Sequence, residues 1–186
     1  MDLVLFGIQG SGKGTQAKML AKEFDFEIFE AGGELRRISM SGSELGNTVK
    51  SYIDAGKLVP HRMIMDVIAA FIDDQPRDQK ILFDGIPRDE NQMRDFDALM
   101  EALGREFHCV QITLDPEEGL KRILGRAKIE GRADDASEET IRRRMRTFLE
   151  KTTPVIERYR ARGKLWEIDG EGSVEEIYGR MLKKAG

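Results

Sequence analysis

A glycine-rich turn between an apolar segment and a helical pattern places the strongest constraint on the fold of this chain. Residues 7–15 (GIQGSGKGT) follow the apolar residues 3–6 (LVLF) and lead into a helical pattern at 16–24. A buried strand, a tight turn and a helix N-terminus direct several backbone N–H groups towards one polyphosphate, with Lys13 as a mobile cation. The run therefore predicts a phosphate-binding loop rather than a plain glycine turn.

The loop differs from the general pattern at one position. Gly14 follows the lysine, where Ser or Thr is usual, and the hydroxyl comes one residue later, at Thr15. This variant narrows the group of phosphate-binding proteins that the chain can resemble.

Length and composition exclude several other classes of protein. The 186 residues fit a single domain, 1–186, and the net charge of −4 argues against a nucleic-acid partner or an anionic membrane surface. Cys109 is the only cysteine, so neither an intrachain disulfide nor a cysteine-based zinc site can form. The sequence has no long apolar run and begins directly with a strand pattern. We therefore expect a cytoplasmic protein with no membrane partner.

Strand and helix patterns alternate along the chain. This alternation predicts an α/β fold, with helices on both faces of a parallel five-stranded sheet. Residues 173–176 (SVEE) form a capping box that predicts the start of the last helix. The predicted strands are residues 2–7, 27–30, 80–84, 109–114 and 165–169.

Two stretches interrupt the alternation. Residues 31–71 contain three helical patterns with no strand between them, which predicts a helical insertion. Residues 126–136, between helical patterns at 116–125 and 137–162, are rich in charged and small residues and predict a mobile loop. Enzymes that move phosphoryl groups must exclude water, because water would otherwise accept the phosphate, and a closing loop meets that need.

Arginines are concentrated around the second stretch. Arg122 and Arg126 lie four residues apart and would share a helix face, and Arg132 lies within the predicted loop. Planar guanidinium groups suit the charge that spreads over the oxygens of a transferring phosphoryl group. Arg142 and Arg143, taken singly, fit a solvated helix face better.

Six motifs in this order resemble the adenylate kinases of the short-lid type, within the P-loop nucleoside monophosphate kinases, and the resemblance covers nearly the whole chain. The motifs are residues 7–16, 32–36, 54–60, 84–88 with Gln92, 131–135, and 138–144.

The resemblance implies a fold similar to the P-loop NTPases, in which residues 30–59 bind the nucleoside monophosphate and residues 126–136 form a short lid over ATP. It also implies reversible phosphoryl transfer from MgATP to AMP, giving two ADP, by a monomer whose partners are ATP and AMP. Zinc is not expected, because the four cysteines of the long-lid relatives are missing.

The resemblance also implies a set of site residues, each matched to a motif position. The catalytic residues would be Lys13, Asp84, Arg88, Arg126, Arg132 and Arg144. The ATP-binding residues would be Gly10, Ser11, Gly12, Lys13, Gly14, Thr15, Arg122, Arg126 and Gly172. The AMP-binding residues would be Ala31, Gly32, Arg36, Lys57, Leu58, Val59, Gly85, Arg88, Gln92, Arg132 and Arg144.

Each implied role has a physical reason. Lys13 would follow the transferring phosphoryl group, while the arginines neutralise its oxygens. Gln92 would recognise adenine through its amide, which can both donate and accept. Asp84, at the carboxyl end of a parallel strand, would orient the water shell of Mg²⁺, with Thr15 as a further contact.

The chain departs from the family pattern where Thr-Gly-Asp is usual, because it has Ala31, Gly32 and Gly33. The threonine normally helps to hold the AMP base, and alanine at this position is similar to the uridylate and cytidylate kinases. The missing aspartate normally shares the Mg²⁺ water shell. A uridylate/cytidylate kinase is therefore the main alternative, favoured by Ala31 and opposed by Gln92. A nucleotide-binding switch without transfer activity is a further alternative, although no guanine-binding Asn-Lys-x-Asp motif occurs.

Overall fold

Five parallel strands form the centre of the computed structural model. The structure describes residues 1–54, 59–130 and 138–185, but not the side chains of residues 53–54, 126–130 and 185. The strands are β1 (Asp2–Gly7), β2 (Phe26–Glu30), β3 (Lys80–Asp84), β4 (Phe107–Thr113) and β5 (Leu165–Asp169). Their spatial order is β2-β3-β1-β4-β5, and every neighbouring pair is parallel. The predicted parallel sheet is confirmed.

Strand β1 lies in the middle of the sheet and is buried along its whole length. Leu3 and Leu5 point into one apolar cluster, and Val4 and Phe6 point into the other. Such two-sided burial is typical of a strand in a parallel sheet that helices cover on both faces, and it explains the continuous apolar run in the sequence.

Helices surround the sheet. In the part of the chain that the structure describes, no helix is long and apolar enough to cross a membrane. Helices α2, α3 and most of α4 lie in the predicted insertion, and a π-helical turn, Phe148–Thr152, joins α7 to α8. The helices are α1 (Lys13–Phe24), α2 (Ala31–Ser39), α3 (Glu44–Asp54), α4 (His61–Asp73), α5 (Glu90–Ala102), α6 (Pro116–Glu130), α7 (Glu138–Thr147), α8 (Thr153–Ala161) and α9 (Val174–Ala185).

The capping box before α9 is confirmed, because Ser173 Oγ accepts from the Glu176 N–H at 3.2 Å while Glu176 Oε2 accepts from the Ser173 N–H at 2.7 Å. Strands β2 and β4 begin one and two residues earlier than expected, at Phe26 and Phe107. These differences leave the predicted element order unchanged.

Two expectations about helix boundaries are wrong. The predicted loop 126–136 does not begin at Arg126, because α6 continues to Glu130; residues 126–130 (RAKIE) are mostly good helix formers, with no glycine or proline to end the helix. The predicted single helix 137–162 is interrupted by the π-helical turn. Pro154 follows that turn and has no N–H for the regular helical pattern. Residues 131–137 lie outside the described part of the chain.

A buried ion pair ties the three central strands together at the end of the sheet opposite the phosphate-binding loop. The Asp2 carboxylate receives two hydrogen bonds from Arg105, at 2.7 and 2.8 Å, and one from the Ile81 N–H at 2.9 Å. The Asp2 and Arg105 side chains are only 3% and 14% exposed. Arg105 also donates to the Gln79 carbonyl at 2.7 Å. The cluster therefore links β1, the start of β3 and the chain that enters β4.

We expect Asp2→Ala to lower the free energy of unfolding by about 3 kcal/mol, because it leaves the Arg105 charge buried without its partner. Urea denaturation measures the change. Glu90→Ala is the control: its partner Arg158 is 56% exposed, and the loss should stay below about 1 kcal/mol. Equal losses in the two variants would contradict this assignment.

Candidate active site

The glycine loop after β1 has the geometry of an anion-binding turn. Gly10 and Gly12 adopt left-handed conformations, with φ of 85° and 89°, and the Ser11 N–H donates to the Ile8 carbonyl at 3.1 Å. Helix α1 begins at Lys13, and no side chain caps its N-terminus. The positive end of the helix dipole is therefore available to a phosphate group.

Close packing explains why position 10 of this loop is a glycine, but it does not explain the glycine at position 14. Gly10 lies against the backbone of Gly119 in α6, and a Cβ atom on Gly119 would stand 2.6 Å from the Gln9 carbonyl oxygen. The loop and α6 can approach so closely only because both positions are glycine. Gly14 has open space where its Cβ would be. Its lack of a side chain keeps the start of α1 open.

Lys13 folds back over the loop, and its ammonium group donates to the Gly7 carbonyl at 2.6 Å. Dehydration lowers the pKa of Lys13; the Asp84 carboxylate opposes this shift, and the Arg88 charge adds to it. A phosphate group placed beside the ammonium would supply the negative charge that favours its protonated form.

Asp84 ends β3 at the carboxyl edge of the sheet, in register with Leu5 of β1 on one side and with Glu30 of β2 on the other. Dehydration raises its pKa, Lys13 opposes the shift, and the neighbouring Glu30 raises it further. The parallel register thus places this carboxylate beside the phosphate-binding loop, as the sequence predicts.

Three hydrogen bonds hold Arg88, two through its backbone and one through its side chain. Its N–H donates to Gln92 Oε1 at 2.8 Å, its carbonyl accepts from the Thr152 hydroxyl at 2.9 Å, and its Nε donates to the Gly85 carbonyl at 2.7 Å. Dehydration lowers the pKa of its guanidinium group, with Asp84 opposing and Arg144 adding to the shift. Arg144 therefore lies within electrostatic reach of Arg88, so two of the predicted phosphate-binding arginines are brought together.

Gln92 lies in the first turn of α5, which Asp89 caps by accepting from the N–H groups of Asn91 and Gln92, both at 2.9 Å. The Gln92 residue is only 4% exposed. Because its amide oxygen already accepts from Arg88, its NH₂ group is the part of the amide that remains for a ligand.

The structure describes only part of the predicted site for the nucleoside monophosphate. Ala31 is buried at the start of α2, and Val59 is buried in the apolar cluster that this region shares with the sheet. Arg36 Nη2 lies 3.5 Å from Glu30 Oε1. Lys57 and Leu58 lie outside the described residues.

On the opposite side of the loop, Arg122 joins α6 to the segment that follows β5. Its Nη1 donates to the Gly170 carbonyl at 3.1 Å and its Nε to Glu118 Oε1 at 3.2 Å. Gly172, another predicted ATP contact, follows in that segment with a φ of 104°. The side chain of Arg126 and all of Arg132 lie outside the described part of the chain.

Arg142 forms its ion pairs with helix residues and not with the phosphate-binding loop. It pairs with Glu117 of α6 at 2.7 Å and with Glu138 at 2.8 Å. Both carboxylates are more than half exposed. The expectation that Arg142 belongs to a solvated helix face is confirmed.

Comparison with known proteins agrees with this geometry. The adenylate kinase family model matches residues 5–164. The chain is 38% identical to an adenylate kinase of Thermus thermophilus over 185 residues, which cover 99% of this chain and 96% of that protein. This chain belongs to the adenylate kinase family. It is also 38% identical to an adenylate kinase of a Nocardioides species over 184 residues (98% and 96%), and 35% identical to one of Parabacteroides distasonis over 182 residues (97% and 95%).

Two residues of this adenylate kinase family member join the site although sequence analysis did not select them. Glu30 ends β2 beside Asp84, and the same signal that pointed to Asp84, an acidic residue at the carboxyl end of a parallel strand, could have found it. Thr152 is 6% exposed and bonds to the Arg88 carbonyl across 64 residues of sequence. No local pattern marks that contact.

We expect Lys13→Met to lower kcat/KM by about two to three orders of magnitude, because it removes a charge aimed at the transferring group. The variant should unfold no more easily than the parent at pH 7, because burial disfavours the Lys13 ammonium group. This benefit should fade as the pH rises towards 10.5, the ordinary pKa of lysine, since both states then lose the proton.

A coupled assay and thermal denaturation measure the two effects. Lys18→Met, at an exposed position of α1, is the matched control and should leave both quantities unchanged. Near-normal turnover of Lys13→Met would contradict the assignment of the loop.

Proposed function

We propose that this member of the adenylate kinase family transfers the terminal phosphoryl group of ATP to the phosphate of AMP, reversibly, giving two ADP. The observation that carries the proposal is the placement of cations from separate elements at one edge of the sheet. Lys13 begins α1 directly after the glycine turn, Arg88 follows β3, and Arg144 in α7 lies within electrostatic reach of Arg88. Two phosphate substrates fit this arrangement better than a single bound nucleotide.

In the reaction, an oxygen of the AMP phosphate attacks the terminal phosphorus of ATP. The bond from that phosphorus to the bridging oxygen breaks, and this oxygen leaves with the first ADP. Negative charge spreads over the transferring oxygens, so positioning and neutralisation supply most of the catalysis. Lys13 would follow the moving group, and Arg88 and Arg144 would hold its oxygens. Arg126 and Arg132 would act from the lid as it closes and excludes water.

Magnesium bound with ATP fits the groups at this edge. Mg²⁺ keeps several waters and is usually held by one or two carboxylates together with substrate phosphates. Asp84 supplies a carboxylate there, and Thr15 supplies a hydroxyl in the first turn of α1. Within the described residues, no three His, Cys, Asp or Glu side chains converge on a common point, so a cage built only from protein is not what this site offers. When bound, the ion would neutralise phosphate charge.

The hydrogen bond of Gln92 supports AMP as the acceptor. With its oxygen engaged by the Arg88 N–H, the amide presents an N–H donor to the base. The N1 atom of adenine and the N3 atom of cytosine are acceptors, whereas uracil N3 and guanine N1 carry hydrogen. A fixed donor therefore favours AMP, tolerates CMP, and disfavours UMP and GMP. The buried Ala31 only removes a contact and does not favour a pyrimidine.

A coupled assay with AMP, CMP, UMP and GMP tests the acceptor. We expect the highest kcat/KM with AMP, then CMP. Gln92→Glu keeps an oxygen for the Arg88 N–H and exchanges the donor for an acceptor, so kcat/KM with AMP should fall by about 5- to 150-fold, which corresponds to roughly 1 to 3 kcal/mol.

Asn91→Asp is the matched control, because it makes the same chemical change at the adjacent, exposed position and should have little effect. A higher kcat/KM with UMP than with AMP would refute the adenylate assignment in favour of a uridylate/cytidylate kinase.

A second experiment uses a compound that joins two adenosines through five phosphates. Because the proposal places cations from opposite sides in one cleft, we expect this compound to bind far more tightly than ATP or AMP alone. Isothermal titration calorimetry should give one molecule per chain. Two independent molecules per chain, or an affinity no better than that of ATP, would contradict adjacent nucleotide sites.

We also propose that the protein acts as a cytoplasmic monomer, with no nucleic-acid or membrane partner. The proposed residues of both nucleotide sites come from a single chain, which supports a monomer. The net charge of −4 supports the absence of a polyanionic partner. The single thiol, Cys109, is fully buried, and burial raises its pKa, so it is poorly placed to form a disulfide.

A further inference from the structure

An ion pair lies over the start of α2, where the chain departs from its family pattern. Glu30 Oε1 lies 3.5 Å from Arg36 Nη2, and the two side chains are 60% and 54% exposed. Glu30 is the last residue of β2, in register with Asp84, so its carboxylate stands at the carboxyl edge of the sheet. Arg36 is the residue that we expect to bind the phosphate of AMP.

Two glycines in the first turn of α2 lie against the pair, and Gly33 is the one that provides space for it. A Cβ atom on Gly33 would lie 3.2 Å from Glu30 Oε2, closer than side chains normally approach. A Cβ atom on Gly32 would lie 3.5 Å from Arg36 Nη1 and 3.7 Å from Glu30 Oε1. The Glu30 carboxylate therefore occupies the space into which an aspartate at position 33 would project. The absence of an aspartate at position 33 therefore leaves space for the carboxylate of Glu30.

We propose that Glu30 is an internal competitor for the monophosphate site, whose carboxylate holds Arg36 in the empty protein and is displaced by the phosphate of AMP. This inference rests on the proposed function, because it assumes that AMP binds at Arg36. Glu30 thereby sets the affinity for AMP below the value that the arginines alone would provide.

Charge and exposure both favour displacement by AMP. An exposed ion pair biases an equilibrium by at most about fivefold, so Glu30 holds Arg36 only weakly. A phosphate monoester carries a charge of about −1.5 to −2 near pH 7 and can accept two parallel hydrogen bonds from a guanidinium group. The phosphate therefore replaces the carboxylate. Once displaced, the Glu30 carboxylate remains close to the phosphate and to Asp84. Its repulsion of the negatively charged phosphate lowers the affinity for AMP further.

The test is calorimetric titration of AMP into the wild-type protein and into Glu30→Gln, without ATP or metal, so that only binding is measured. We expect the variant to bind AMP about two- to fivefold more tightly. Adenosine has no phosphate, so its affinity should be the same for both proteins.

Glu34→Gln is the matched control. Glu34 pairs with Arg37 at 2.7 Å on the same helix, and its substitution removes the same charge four residues away. Its AMP affinity should equal that of the wild type. Equal tightening in both variants would show a general charge effect and overturn the inference. Tighter binding of adenosine by Glu30→Gln would also overturn it, because the effect would then not concern the phosphate.

The remaining outcomes separate this inference from the proposed function. Unchanged or weaker AMP binding by Glu30→Gln, in a wild-type protein that binds and phosphorylates AMP, would overturn the inference alone. A stronger signal of free Mn²⁺ in electron paramagnetic resonance of Glu30→Gln with ATP than of the wild type, with unchanged AMP affinity, would instead assign Glu30 to the metal and also overturn it. A wild-type protein that neither binds nor phosphorylates AMP would overturn the proposed function itself.

Discussion

The proximity of opposite charges at the carboxyl edge of the parallel sheet is the constraint on which the site depends. Partial burial shifts the pKa values of Lys13 and Asp84 towards their neutral forms, and each residue opposes the shift of the other. This proximity follows from the register of β1 with β3, which pairs Leu5 with Asp84. The ion pair between Asp2 and Arg105 helps to hold that register from the far end of the sheet. Strand alignment and site electrostatics are therefore linked.

The proposed phosphate-binding residue Arg88 is held largely through its backbone. Gln92 and Thr152 bind its N–H and carbonyl from two different helical segments. The same hydrogen bond that positions Arg88 also orients the Gln92 amide. The proposed phosphate binding and the proposed base recognition on the monophosphate side thus share one contact, and a change at Gln92 should affect both.

The segment after β2 shows how a departure from a family motif changes the contacts around it. Ala31 and Gly33 lack the side chains that the resemblance assigns to the base and to the metal shell, and Gly33 leaves room for Glu30 and Arg36 to meet. A substitution that restores aspartate at position 33 would place a second carboxylate against Glu30. We therefore expect the effects of substitutions at positions 30 and 33 to be non-additive.

The sequence by itself determined the strand order along the chain, the phosphate-binding loop, the helical insertion and the family. These features follow from local signals: the spacing of apolar residues, glycines at a sharp turn, and motif residues close together in sequence. The extension of α6 to Glu130 has no distinctive local signal, because charged residues that are typical of a loop also form good helices. Tertiary structure alone decided which atoms meet. Arg105 reaches Asp2 across 103 residues and Thr152 reaches Arg88 across 64, and the Gln92 oxygen turns inward because the Arg88 N–H lies there. Such contacts depend on how the strands and helices pack, and no pattern of neighbouring residues encodes that packing.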